Sequence, residues 1–234
     1  MKDHDIKKVI RETLGAHAKP LKESYVTKAQ KYSLNTSLLS EKTKKSHQEL
    51  LTKYVDDLNT ISAKLDSADR DEANLNHSEF RSLKNDEVYN LNASFLHAYY
   101  FENIADPNSI ITMDSLAFMR LERDFGSFDA WQKDFVACAL SSRNGWVCTV
   151  YNTFLQRYIN VVVDLHSNNV PFSSYPVIVL DCWEHSYYRD YLNDRKTYVY
   201  AMMKEFNWKK IESRIKTAEK LSKVMLSGEK NEEK

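Results

Sequence analysis

The chain has 234 residues, 42% of them hydrophobic and 28% charged, with 33 basic residues against 33 acidic ones. That balance leaves no net charge to draw the protein to nucleic acid or an anionic membrane, and the hydrophobic share is that of a folded globular chain. Nothing approaches ~18 uninterrupted apolar residues, so no membrane-spanning helix is expected. Three cysteines, Cys138, Cys148 and Cys182, form no C-x-x-C pair, which argues against a disulfide framework and for a reducing, cytoplasmic compartment. The amino-terminal residues lack an apolar run and already carry acids, unlike a secretory signal or a typical mitochondrial leader. A processed mitochondrial form or a virion protein stays open. Only four glycines are present, so loops that need positive φ must be short or rebuilt.

Taken in chain order, residues 1–30 form an extension with Ile6, Val9, Ile10 and Leu14 at helical spacing before Gly15 and Pro20 interrupt. Ser40 then caps a helix. His47, Leu50, Leu51, Tyr54, Val55, Leu58, Ile61 and Leu65 share one stripe of it, which turns His47 toward the core. Residues 66–83 are polar and read as the connection to a second long helix, from about Asp86 to Ile104. His97 lies there among Phe95, Tyr100 and Phe101 and is buried by that pattern. A shorter helix follows Ser127 as N-cap. Trp146–Tyr151, Arg157–Leu165 and Pro176–Asp181 read as three strands. Helices packed on a small antiparallel sheet make an α+β fold. The expected division is an extension (1–30), a helical hairpin (31–106), an α/β part (107–215) and a tail (216–234) that starts as an amphipathic helix and frays.

The third strand delivers Asp181, and four residues later comes His185. A carboxylate at a strand end and an imidazole in the following turn can converge on one point, as a metal with mixed oxygen and nitrogen ligands requires.

Around that pair the chain reads D-x-W-E-H-x-Y-Y, then Asp190-Tyr191, Asn193-Asp194-Arg195 and Asn207-Trp208. This resembles the carboxyl-terminal signature of the iron/manganese superoxide dismutases. The run from Tyr32 to Thr43 is similar to that family's opening, Phe95–Phe101 to its W-N-H-x-F-Y-W, and Phe125–Phe128 to its F-G-S-F helix. The resemblance implies one iron or manganese ion per chain, held by His47, His97, Asp181 and His185. For the first ligand two registers stay open: Ser40 and Thr43 count forward to His47, whereas Tyr54, Val55, Leu58 and Asn59 count back to Ser46. We prefer His47, because serine is a poor ligand for these metals.

The resemblance further implies superoxide as substrate, with dioxygen and hydrogen peroxide as products. It makes Tyr54 a gateway residue, Trp183 an aromatic wall, and Glu184 with Tyr188 the link between two sites in a homodimer. The surroundings of the site depart from the family. Gln48-Glu-Leu-Leu51 replaces G-K-H-H, Cys148 replaces a tryptophan, and the family's active-site glutamine is absent, with Ala93 at one of its usual places and Asn168 near the other. Asn168 is therefore the expected substitute among the catalytic residues, beside Tyr54 and Tyr188. The competing expectation is a catalytically impaired dismutase fold recruited as a subunit of a larger assembly, ribosomal or virion in type, through the amino-terminal extension.

Overall fold

The computed structural model describes residues 25–229. The helical spacing between Ile6 and Leu14 and the last five residues of the tail lie outside them. Among the described residues ten elements follow one another, helices first and last, with a three-stranded antiparallel sheet between them. The α+β expectation is met.

Helix α1 (Glu41–Ser67) begins where expected, because the Ser40 hydroxyl accepts the Thr43 N–H at 3.3 Å and satisfies one of the orphan donors of a first turn. Its buried face carries His47, Leu51, Val55, Leu58 and Leu65. Helix α2 (Glu79–Ile104) starts about two turns earlier than the polarity of its first residues suggests, since Ser78 caps it by accepting the Arg81 N–H at 3.2 Å. The solvent-facing side of a helix is itself polar, so composition alone put the boundary too late. The two helices lie side by side and antiparallel, with His47 near the start of one against His97 near the end of the other.

Residues 25–32 run as an extended strap along α1. Ser62 Oγ accepts the Tyr25 N–H at 3.2 Å and donates to its carbonyl at 2.9 Å. The Asn59 amide does the same for Thr27, at 2.8 and 2.9 Å, and Gln48 Oε1 accepts the Tyr32 N–H at 3.0 Å. Helix side chains thus satisfy backbone groups that a strand would satisfy from a neighbour.

Beyond the hairpin, α3 (Leu116–Phe125) ends at Gly126, whose φ of 87° closes the helix with an N–H to the Glu122 carbonyl. Ser127 then caps α4 (Phe128–Ser141) as expected, accepting the Ala130 N–H at 3.0 Å. The sheet order is β2-β1-β3, built from β1 (Gly145–Asn152), β2 (Arg157–Asp164) and β3 (Ser174–Asp181). Gly145 opens the central strand where a Cβ would collide with the Val163 carbonyl, so only glycine lets β1 and β2 approach there. Helices α5 (Glu184–Tyr191), α6 (Arg195–Lys204) and α7 (Trp208–Glu229) complete the fold. No described helix is long and apolar enough to cross a membrane.

One buried cation ties the two halves together. Arg214 of α7, only 4% exposed, donates to Asn103 Oδ1, to the Tyr99 carbonyl at 3.1 Å and to Glu102 at 2.8 Å, all on α2, and to the Val177 carbonyl of β3 at 3.3 Å. Its guanidinium lies 3.8 Å from the Tyr99 ring centroid. Removing it strands several buried acceptors at once. Arg214→Ala is expected to lower unfolding stability by about 3 kcal/mol or more, read as a shifted urea midpoint in far-ultraviolet circular dichroism; an unchanged midpoint would refute that role.

Candidate metal centre

Asp181 is the last residue of β3, and the strand leaves its carboxylate fully buried at the foot of the hairpin. One oxygen, Oδ1, accepts the Trp183 N–H at 2.8 Å, which fixes the plane of the group. The other, Oδ2, lies 3.0 Å from His47 Nε2, 3.1 Å from His185 Nε2 and 3.7 Å from His97 Nε2. Three imidazoles from α1, α2 and α5 therefore converge on one carboxylate oxygen, and a ligand atom of each of the four residues lies within 4.8 Å of the others. The spacing of Asp181 and His185 predicted their convergence. His47, rather than Ser46, enters the cluster; the Ser46 hydroxyl donates to the Thr43 carbonyl and accepts from Arg189.

The tautomer of His97 tests whether a cation fits. Its Nδ1 lies 2.7 Å from the Ala93 carbonyl, which can only accept, so the proton is on Nδ1 and Nε2 presents a bare lone pair. That nitrogen is buried with no hydrogen-bond partner and faces a carboxylate oxygen. Two acceptors aimed at one another in a dry site are repulsive, and a cation between them removes the conflict. Burial pushes the pKa of both His47 and His97 down, the Asp181 interactions only partly opposing it, so both rings stay neutral. For Asp181 burial acts upward, but the neighbouring His185 and His47 outweigh it and hold the carboxyl well below its ordinary range. Neutral imidazoles and an ionised carboxylate are the protonation states that bind divalent or trivalent metal. The N3O set suits iron or manganese.

Around the cluster the structure supplies a residue that sequence reasoning missed. His166 is fully buried. Its Nδ1 accepts the Trp146 indole N–H at 3.0 Å, and its Nε2 lies 3.1 Å from the Tyr54 hydroxyl. The ring stacks on Trp183 at 4.9 Å and comes within 5.9 Å of the His97 ring. Burial pushes its pKa down to about 4, so it too is neutral. Asn168, expected in this role, is exposed instead, and its backbone N–H turns back to the Asp164 carbonyl at 3.1 Å. The reason is local: Leu165 and Asn169 both take positive φ, 54° and 64°, so the chain reverses after β2 and points residue 166 inward and residue 168 out. The only sequence signal was a histidine directly after a Val-rich strand.

Tyr54 stands beside His97, ring centroids 5.2 Å apart. Trp183 stacks on His185 at 5.7 Å. Tyr188 is half exposed, and with Glu184, Arg189, Leu50, His47 and His185 it lines a cleft of about 570 Å³ that reaches the cluster.

Residues 115–214 match the family model described as iron/manganese superoxide dismutases, C-terminal domain. The chain is 35% identical over 170 residues to a protein of Aquifex aeolicus named superoxide dismutase [Fe], covering 71% of this chain and 79% of that one. It is 35% identical over 185 residues to the superoxide dismutase [Fe] of Cupriavidus metallidurans, covering 77% and 90%. With the superoxide dismutase [Mn] of Haloarcula marismortui it shares 37% identity over 116 residues, 50% of this chain and 56% of the relative. The chain belongs to the iron/manganese superoxide dismutase family.

Proposed function

We propose that the protein is a superoxide dismutase that holds one iron or manganese ion between His47, His97, Asp181 and His185 and disproportionates superoxide to dioxygen and hydrogen peroxide. The observation that carries this reading is the lone pair of His97 Nε2, buried and without a partner, aimed with two further imidazoles at one ionised carboxylate. The names of the relatives agree with it. A bound iron or manganese ion would supply the one-electron chemistry, accepting an electron from one superoxide and returning it to the next.

The chain's own residues do the rest. The Ala93 carbonyl fixes the tautomer of His97, and the Trp183 N–H fixes the carboxylate of Asp181, so the donor set is oriented in advance. Trp183 and Trp146 flank His185 and His97 and keep bulk water off those sides. The cleft beside Tyr188 leaves the centre open to a small anion, and Arg189 at its wall attracts one. Tyr54, held by His166, lies against the His97 ring and supplies protons for peroxide formation. The exposed Glu184 and Tyr188 at the cleft form the face of a homodimer in this reading.

Protein purified without chelator is expected to carry iron or manganese near one per chain. His185→Ala should lose metal at least about tenfold, in line with the loss of a ligating group, and superoxide consumption with it; activity in a metal-free variant would sink the assignment. Because the metal binds the folded state, its removal by a chelator should lower the melting temperature, and readdition should restore it. Equal melting curves with and without metal would speak against a buried centre. Glu184→Ala should shift sedimentation toward the monomer, and an unchanged dimer mass would contradict the interface.

A further inference from the structure

The sheet face that looks toward α2 carries short side chains. Cys148 and Val150 of β1 stand on it beside Val161 and Val163 of β2, with Cys148 directly across from Val161. These four do not fill the distance to the helix, and a cavity of about 310 Å³ remains between them and Phe95 and Leu96 of α2. Its floor is buried, since Cys148, Val150 and Val163 are each at most 3% exposed. Its mouth opens beside Phe95 and Val170, which are 39% and 46% exposed.

The walls are held in place. Leu165, Asn169 and Ser173 take positive φ, so the segment between β2 and β3 folds back and lays Val170 and Pro171 along the opening. The Ser173 carbonyl accepts the Thr153 N–H at 2.8 Å, and the Phe172 carbonyl accepts the Asn152 amide at 3.2 Å. On the opposite side the Tyr99 and Tyr175 hydroxyls lie 3.0 Å apart and join α2 to β3. A cavity tied on two sides is formed before any guest arrives.

The lining selects the guest. The volume is that of about ten water molecules, but each water needs about two to four polar partners. Few are on offer: Ser174 Oγ donates to the Phe172 carbonyl and accepts from the Asn152 amide, and the Tyr175 hydroxyl is taken by Tyr99. Burial pushes the Cys148 thiol up, so it is neutral and acts as a small apolar group. Only the Asn92 amide makes no hydrogen bond among the described residues. Among those residues no charged side chain lines the cavity, which calls for a neutral guest. Displacing poorly bound water with an apolar molecule gains affinity. The rings of Phe95 and Tyr175 and the sulfur of Cys148 all favour an aromatic one.

We propose that this cavity is a binding site for a small neutral aromatic molecule of one or two rings, which lies over Cys148 and Val163 and gives a single N–H or O–H to the Asn92 amide oxygen. The site shares no residue with the metal cluster or with the cleft at Tyr188, and it does not depend on the dismutase reading.

Indole is the probe. Isothermal titration of the purified full chain should show one site per chain with a negative heat-capacity change, and saturating indole should raise the melting temperature. Cys148→Phe fills the floor and should weaken binding at least about tenfold, by steric exclusion. Because a ring there can strain the core, Val170→Trp blocks the cavity from its exposed mouth with the same expected effect. Asn92→Ala removes the polar partner and should weaken binding about fivefold; an unchanged affinity would take that amide out of the site. Indole binding kept in every folded variant places the molecule elsewhere and overturns the proposal. So does the absence of both heat and melting shift in the unmodified protein at millimolar indole. Neither readout consumes superoxide, so failure of the dismutase reading leaves the result intact.

Discussion

A carboxylate with no solvent exposure sets the terms for this fold. Leaving the ionised Asp181 side chain uncompensated in the interior would cost several kcal/mol, and β3 nonetheless ends on it. Its compensation comes from every direction: the backbone at Trp183, the imidazoles of His47 and His185, and the ring of His97 held just behind. Because those partners sit on α1, α2 and α5, the centre can form only when the hairpin, the sheet and the helix after β3 are all docked. Arg214 makes the same connection a second time, from α7 to α2 and β3, as a buried cation surrounded by acceptors.

A polar layer separates this centre from the surface, and it is built differently from the centre itself. Where His97 is fixed by a backbone carbonyl and Asp181 by a backbone amide, the layer around the cluster is aromatic and held by single side-chain bonds, such as Trp146 to His166 and His166 to Tyr54. Its members come from α1, α2, β1 and the turn after β2. Such a layer can change residue by residue as long as shape and donor direction are kept. That explains how this chain replaces several residues expected near the metal and still presents a coherent set of hydrogen bonds.

What could be read from the sequence follows the range of the interactions involved. The Asp181 and His185 pair is four residues apart on a strand end and the next helix, so its convergence is local and legible. His47 and His97 each sit on an apolar helical stripe, which announces burial but not that the two meet; the resemblance to the dismutases supplied that step. The choice between His47 and Ser46 needed coordinates, since two motifs implied registers one residue apart. His166 was out of reach for a physical reason. Its inward direction depends on positive φ at Leu165, a residue type that gives no sign of it, and the substitute was sought among amides, which led to Asn168. The start of α2 was misplaced because its first seven residues, polar but for Phe80 and Leu83, look like a loop when only composition is weighed. The short helices α3 and α6 were not foreseen at all, having few residues over which a period can show.

The strap along α1 determines where the polypeptide joins the molecule. Tyr25 is bound at Ser62 and Tyr32 at Gln48, and an extended run of that length, ~23 Å, matches the ~21 Å between those two positions on a helix. The segment is thus measured against the helix it lies on, with no slack. Tyr25 accordingly sits about 20 Å along α1 from the end bearing His47. The first described residue is thus held at the far end of the hairpin from the cleft that His47 and His185 line.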